Sequence, residues 1–146
     1  MPQLTFAILS GELKLSVVIG LSGQEAAKSL ATGRPIPTPI WANGFLDTGS
    51  NVTCITKDIL QRLPLLSAGQ TKTRTASGQV SVNLFEVSLS IPPAGNLPGP
   101  MLTRPNLIVM ELLDPIPDVD VLIGLDILLD CRLLVDGPGR QFTLDF

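Results

Sequence analysis

Trp41-Ala42-Asn43-Gly44-Phe45-Leu46-Asp47-Thr48-Gly49-Ser50-Asn51-Val52-Thr53-Cys54-Ile55 runs one apolar strand into Asp-Thr-Gly-Ser and leaves it along a second. The pattern places a carboxylate at the tip of a tight turn. Gly49 lets the backbone fold close beneath Asp47, and Thr48 and Ser50 supply hydroxyls that can fix neighbouring groups. Taken alone, Asp-Thr-Gly is an ordinary turn triplet. Two features add to it here. The apolar pair Phe45-Leu46 precedes it, and much later stands Val121-Leu122-Ile123-Gly124-Leu125-Asp126-Ile127-Leu128, an apolar strand that ends in glycine and enters a helix.

Period-two alternation dominates the chain around these stretches. Leu13-Leu15-Val17 alternates with Glu12-Lys14-Ser16, and Val80-Val82-Leu84 with Ser81-Asn83. Phe85-Val87-Leu89-Ile91 continues on shifted parity, so a bulge or bend is expected near Leu84. Thr73 to Gln79 reads as a hairpin tip around Gly78. Leu107–Met110 and Val119–Ile123 read as short buried strands. Helical signals are few: Thr56 before Lys57–Leu63, Leu125–Cys131 after Gly124, and one or two turns over Glu25–Ala31. Thr32–Pro39 must be an extended connection and Pro92–Pro100 a loop, because proline lacks the ladder donor. The expectation is a single domain over residues 1–146, mostly β, closing into a barrel.

Composition narrows the function. Ten Lys plus Arg stand against thirteen Asp plus Glu, a net charge of −3, which offers no basic footprint for nucleic acid or an anionic membrane. The absence of His rules out Ser–His and Cys–His triads within the chain and removes the commonest metal ligand, so no metal or cofactor is expected. Cys54 and Cys131 read as small buried residues rather than a disulfide framework. No basic-then-apolar leader and no apolar run of membrane-spanning length is read, and the default compartment is cytoplasmic or virion-associated. Charged residues make up only 16% of the chain, against roughly 25% in typical soluble domains. A small chain so poor in charge is expected to hide surface in a partner.

The set Leu46-Asp47-Thr48-Gly49-Ser50, the hairpin Thr75-Ala76-Ser77-Gly78 and Val121-Leu122-Ile123-Gly124 before a short helix resembles the retroviral-type (retropepsin-like) aspartic peptidases. The terminal stretches Pro2-Gln3-Leu4-Thr5-Phe6 and Phe142-Thr143-Leu144-Asp145-Phe146 are also similar. The resemblance covers nearly the whole chain apart from residues 22–40 and the proline loop after Ile91. It implies a closed acid-protease barrel with a flap hairpin and one or two short helices, one lobe per subunit. In retroviral members the terminal strands interleave between two subunits.

Such chemistry needs two carboxylates sharing a proton, and the sequence holds one Asp-Thr-Gly. Asp126 reads as a helix-start cap and Asp118 and Asp120 as solvated turn residues, while Asp130, Asp136 and Asp145 lack the turn pattern. The second carboxylate is therefore expected from a second copy, with Asp47 facing its own image in a homodimer. The resemblance makes Asp47, Thr48 and Gly49 catalytic. It assigns Ser50, Asn51, Val52, Thr75, Ala76, Ser77, Gly78, Ile123 and Leu125 to an extended peptide or polyprotein substrate. Ser50 is expected to donate to Asp47, Thr48 to bond across the twofold axis, and Val52, Ile123 and Leu125 to line apolar pockets. The chain departs from the family where an acid–arginine pair is usual: Asn51 and Leu125 occupy those positions. That departure motivates the alternative, an inactive dimerisation or peptide-binding module with the same fold; an unrelated β-barrel binding domain is the third reading.

Overall fold

A computed structural model describes all residues, Met1–Phe146. Ten strands form, in chain order: β1 (Gln3–Ala7), β2 (Lys14–Leu21), β3 (Ile40–Leu46), β4 (Cys54–Thr56), β5 (Ser67–Thr75), β6 (Gly78–Ile91), β7 (Leu102–Leu112), β8 (Val121–Ile123), β9 (Arg132–Asp136) and β10 (Gln141–Asp145). Three short helices join them: α1 (Gly23–Ala31), α2 (Lys57–Gln61) and α3 (Leu125–Leu128).

Alternation in the sequence becomes inside and outside of a barrel. Leu15, Val17 and Ile19 of β2 are buried, as are Ile40, Ala42, Gly44 and Leu46 of β3. The strands close in the order β2-β3-β8-β4-β7-β6, with β6 returning to β2. Closure removes edges that would otherwise template aggregation. β5 stands outside the ring, paired only with β6, and the two make a hairpin turning at Ala76-Ser77. Gly78, at φ +118°, closes that turn in a conformation other residues avoid.

The parity change along β6 is real: Val82 is buried on one side, then Val87, Leu89 and Ile91 on the other. The extra residues lie in its neighbours rather than in β6 itself. Ala68 is unmatched between Ser67↔Phe85 and Gly69↔Leu84, and β7 takes three steps from Leu107 to Arg104 against two from Val87 to Leu89. α1 is longer than its composition suggested, because the Ser22 hydroxyl accepts from Glu25 N and caps it.

A second sheet, β1-β10-β9, packs beneath the barrel. The expectation that the terminal strands interleave with a partner does not hold: β1 and β10 pair with each other over five residues in one chain. Leu4, Phe6, Phe142 and Leu144 are 5% exposed or less and share one core cluster of 24 residues with the barrel. Phe6 stacks on Phe142 at 5.2 Å between ring centres. The apolar ends therefore need no second subunit to cover them. Both cysteines are free, and no helix is long and apolar enough to cross a membrane.

Candidate active site

The strand order brings Asp47 and Gly124 together. β8 slots between β3 and β4, parallel to the first and antiparallel to the second, so the loop from Asp47 to Thr53 must arch over the end of β8. Asp47 N donates to Ile123 O at 2.9 Å, and Ser50 N closes the turn on Asp47 O at 3.2 Å. On the far side Leu125 N donates to Ser50 O (2.8 Å) and Asp126 N to Asn51 O (3.2 Å). Such close approach requires a glycine. A Cβ on Gly124 would stand 2.8 Å from both Ser50 O and the Val52 carbonyl carbon.

The Asp47 carboxylate is half-buried, with Thr48 and Gly49 exposed beside it. Its Oδ1 accepts from Gly49 N at 3.0 Å, and a Cβ on Gly49 would press on the same oxygen at 3.2 Å. The expected bond from Ser50 to Asp47 is not made. The Ser50 hydroxyl donates instead to Val52 O at 2.7 Å, because the turn aims it along the loop rather than back at the carboxylate.

Two residues outside the expected site lock the loop. Thr53 is fully buried; its backbone N donates to Asp126 Oδ2 (2.9 Å) and its hydroxyl to Asp126 Oδ1 (2.7 Å). The same hydroxyl oxygen accepts from Gly124 N at 3.1 Å. Asp126 is thus no helix cap: Gly124 holds the cap position of α3, and both carboxylate oxygens are committed to Thr53. Asp120 likewise is not a solvated turn acid, since Oδ2 accepts from Asn43 N at 2.9 Å and its own N donates to Asn43 O. Asp130 pairs with Arg104 at 2.6 Å.

Between this loop and the hairpin lies an open cleft of about 730 Å³. Gly49, Ser50, Asn51 and Val52 form one wall, Leu84, Leu107, Ile108 and Met110 an apolar wall, and Thr71, Lys72 and Thr73 the roof. The hairpin thus contributes its arm to the cleft lining, whereas Thr75, Ala76, Ser77 and Gly78 form its tip beyond. Ile123 does not line a pocket; it is wholly enclosed in the core, where it packs over Gly44. Leu125 is half-buried against the same core. The apolar run Leu107–Met110 was the available signal for the apolar wall, whereas no local signal marked Thr53 and Asp126 as partners.

Cys54 follows directly. Burial pushes its thiol above the ordinary range; the Ser50 hydroxyl opposes this, and Asp126 and Asp47 add to it.

No model of a known protein family matches the sequence, and no curated protein matches it. Among solved structures, a retropepsin-like aspartic protease from Rickettsia conorii is similar with a TM-score of 0.60. The match covers 97% of this chain and 89% of that one at 14% identity. The chain has the retropepsin-like fold.

Proposed function

We propose that this chain is one lobe, residues 1–146, of a homodimeric aspartic endopeptidase. The observation that carries the reading is a half-buried carboxylate fixed in a glycine-tight turn, present once per chain, whose following residues Gly49–Val52 line an open cleft. The fold's likeness to a retropepsin-like protease supports it.

Two Asp47 carboxylates about 3 Å apart cannot both ionise, so the pair holds one proton. The ionised member takes a proton from water as that water attacks the scissile carbonyl, while the protonated member donates to the carbonyl oxygen. Within this chain Asp126 cannot act as the second acid, since both of its oxygens hold Thr53. Thr48, exposed beside Asp47, bonds across the twofold axis and fixes the two loops. An extended peptide lies in the cleft as an added strand, its apolar side chains on Val52, Leu84, Leu107 and Met110. The β5–β6 hairpin closes over it and excludes water.

The alternative, an inactive binding module, drew its motive from the missing acid–arginine pair at Asn51 and Leu125. Backbone bonds through Asn51 and Leu125 and the Asp126–Thr53 lock tie the same two segments, which weakens that motive. Asp47→Asn is expected to cut cleavage of an extended apolar peptide by roughly 10²–10⁴-fold while leaving the dimer intact. Undiminished cleavage by that variant would refute the reading.

A further inference from the structure

We infer that Lys72 makes the cleft selective for peptides that place an acidic side chain against its roof, and that a basic side chain is rejected there. The inference rests on the peptidase reading above and names the substrate class of that same site. Charge in the cleft is sparse. Of the residues that line it, only Lys72 and Asp126 are of charged type. Asp126 is committed, since its two oxygens accept from Thr53 N at 2.9 Å and from the Thr53 hydroxyl at 2.7 Å. Lys72 is free: the chain's ion pairs are Lys14–Glu12, Lys28–Glu25 and Arg104–Asp130, and none involves it. The remaining polar lining, Ser50, Asn51, Thr71 and Thr73, is neutral.

The sequence accounts for this one-signed field. Asn51 stands where the resemblance leads one to expect an acid, so the loop wall offers an amide in place of a carboxylate. The arm opposite, Ser67-Ala68-Gly69-Gln70-Thr71-Lys72-Thr73-Arg74-Thr75, holds two bases and no acid. Thr71 and Thr73 are half-buried, and Lys72 between them is exposed on an outermost strand with no neighbour beyond it. Its ammonium is therefore carried at the rim of the cleft on a flexible four-carbon stem. An acidic side chain of a bound peptide meets an unpaired cation there. A basic one meets the same charge and finds no free carboxylate, so it loses hydration without compensation. Both differences act in one direction. The wall of Leu84, Leu107, Ile108 and Met110 carries no charge to offset them, so discrimination by charge is added to a cleft that otherwise favours apolar side chains.

The test uses the full chain and a set of apolar peptides in which one residue is Glu, Gln or Lys, moved in turn through the positions on each side of the scissile bond. At the position that meets the roof, kcat/KM should favour Glu over Lys by about five- to tenfold, with Gln between them. Raising salt from about 0.05 to about 0.5 M should shrink that ratio, because a charge at the rim is screened. Lys72→Glu should reverse the order and Lys72→Met should erase it. Asn51→Asp, which returns an acid to the opposite wall, should shift the order toward Lys. Arg74→Glu is the local control: Arg74 lies outside the cleft lining, so the order should stay as in wild type. A flat ratio at every position in the wild-type chain, an order that survives Lys72→Glu, or an equal response to Arg74→Glu would each overturn the assignment to Lys72. Fluorescence anisotropy of the same peptides on Asp47→Asn, read beside cleavage by the wild type, separates the two readings. Cleavage that depends on Asp47 but ignores peptide charge leaves the peptidase and removes the Lys72 inference. Charge-selective binding that follows Lys72, with no cleavage of any peptide, keeps the selectivity and removes the peptidase. Neither binding nor cleavage of any peptide overturns both.

Discussion

The cleft has two sides built on opposite plans. On one side, the segment Asp47–Thr53 is tied to β8 and α3 by backbone bonds through Asp47, Ser50, Asn51 and Leu125 and by the Thr53–Asp126–Gly124 lock. On the other, β5 has one neighbour, β6, and the tip of their hairpin is held by local bonds of Thr75 to Ser77 and Gly78. Gln70, Lys72 and Arg74 of the same arm are exposed. With more ties on the loop than on the hairpin, opening the loop is expected to cost more than lifting the hairpin. A peptidase of the proposed kind requires that contrast. Its acids must be held to fractions of an ångström, and its roof must admit a peptide.

The largest break in the contrast comes from Gly124→Ala. The added methyl meets backbone atoms of Ser50 and Val52 at 2.8 Å, and backbone cannot swing aside like a side chain. Overpacking of this kind costs about 1–3 kcal/mol and displaces the loop. Cleavage is expected to be lost and the thermal midpoint to fall by roughly 4–10 °C. An unchanged midpoint in calorimetry would mean the junction is not tight.

Thr53→Val comes next. It keeps the shape of the side chain but leaves Gly124 N buried without its acceptor, at a cost of about 1–3 kcal/mol. Faster hydrogen exchange at Gly124 should accompany the loss, and Thr53→Ser should recover most of it. In a double-mutant cycle with Asp126→Asn the two changes should be strongly non-additive, because they break one network.

The hairpin should respond differently. Gly78→Ala meets nothing within 4 Å, so its cost is the backbone strain at φ +118° alone, about 1 kcal/mol. Because the hairpin opens locally, the expected shift in global midpoint is small, while KM for an extended peptide changes. A midpoint loss as large as that of Gly124→Ala would erase the distinction between the two sides.

These responses track what could be read from the chain alone. Strands β2 and β6 were legible from their alternation and β8 from its unbroken apolar run, and the turn at Asp47 because an apolar strand runs straight into it. The lock was not: Thr53 and Asp126 lie 73 positions apart and meet only because β8 inserts between β3 and β4. Ile123 was misplaced for a related reason. An apolar residue before Gly124 can face the cleft or the core, and the parallel pairing with β3 turns it inward onto Gly44. The ends were misjudged because Leu4, Phe6, Phe142 and Leu144 look the same in sequence whether a partner or the chain itself buries them. The roof shifted from the hairpin tip to Thr71 and Thr73, since tip position depends on how far the hairpin leans, which no local signal encodes.

The finest test uses the two thiols as reporters. Cys54 sits at the end of the tied loop and is buried; Cys131 sits past α3 and is half-buried. Burial raises both thiols above their ordinary range; at Cys131 the Arg104 guanidinium opposes the rise and Asp130 adds to it. Near neutral pH an alkylating reagent should modify Cys131 first and reach Cys54 only as fast as the junction opens, since the thiolate is the reactive form. The same shifts give a pH dependence of known sign. Above the ordinary thiol range, about pH 8.5, the unfolded chain releases protons that the folded chain retains. The unfolded state then binds fewer protons, so stability falls as pH rises through the raised values, and Cys54→Ala should flatten that fall. If native Cys54 were instead alkylated as quickly as Cys131, with no alkaline loss of stability, the loop would be opening as freely as the hairpin and the two sides of the cleft would not differ in the way their hydrogen bonds imply.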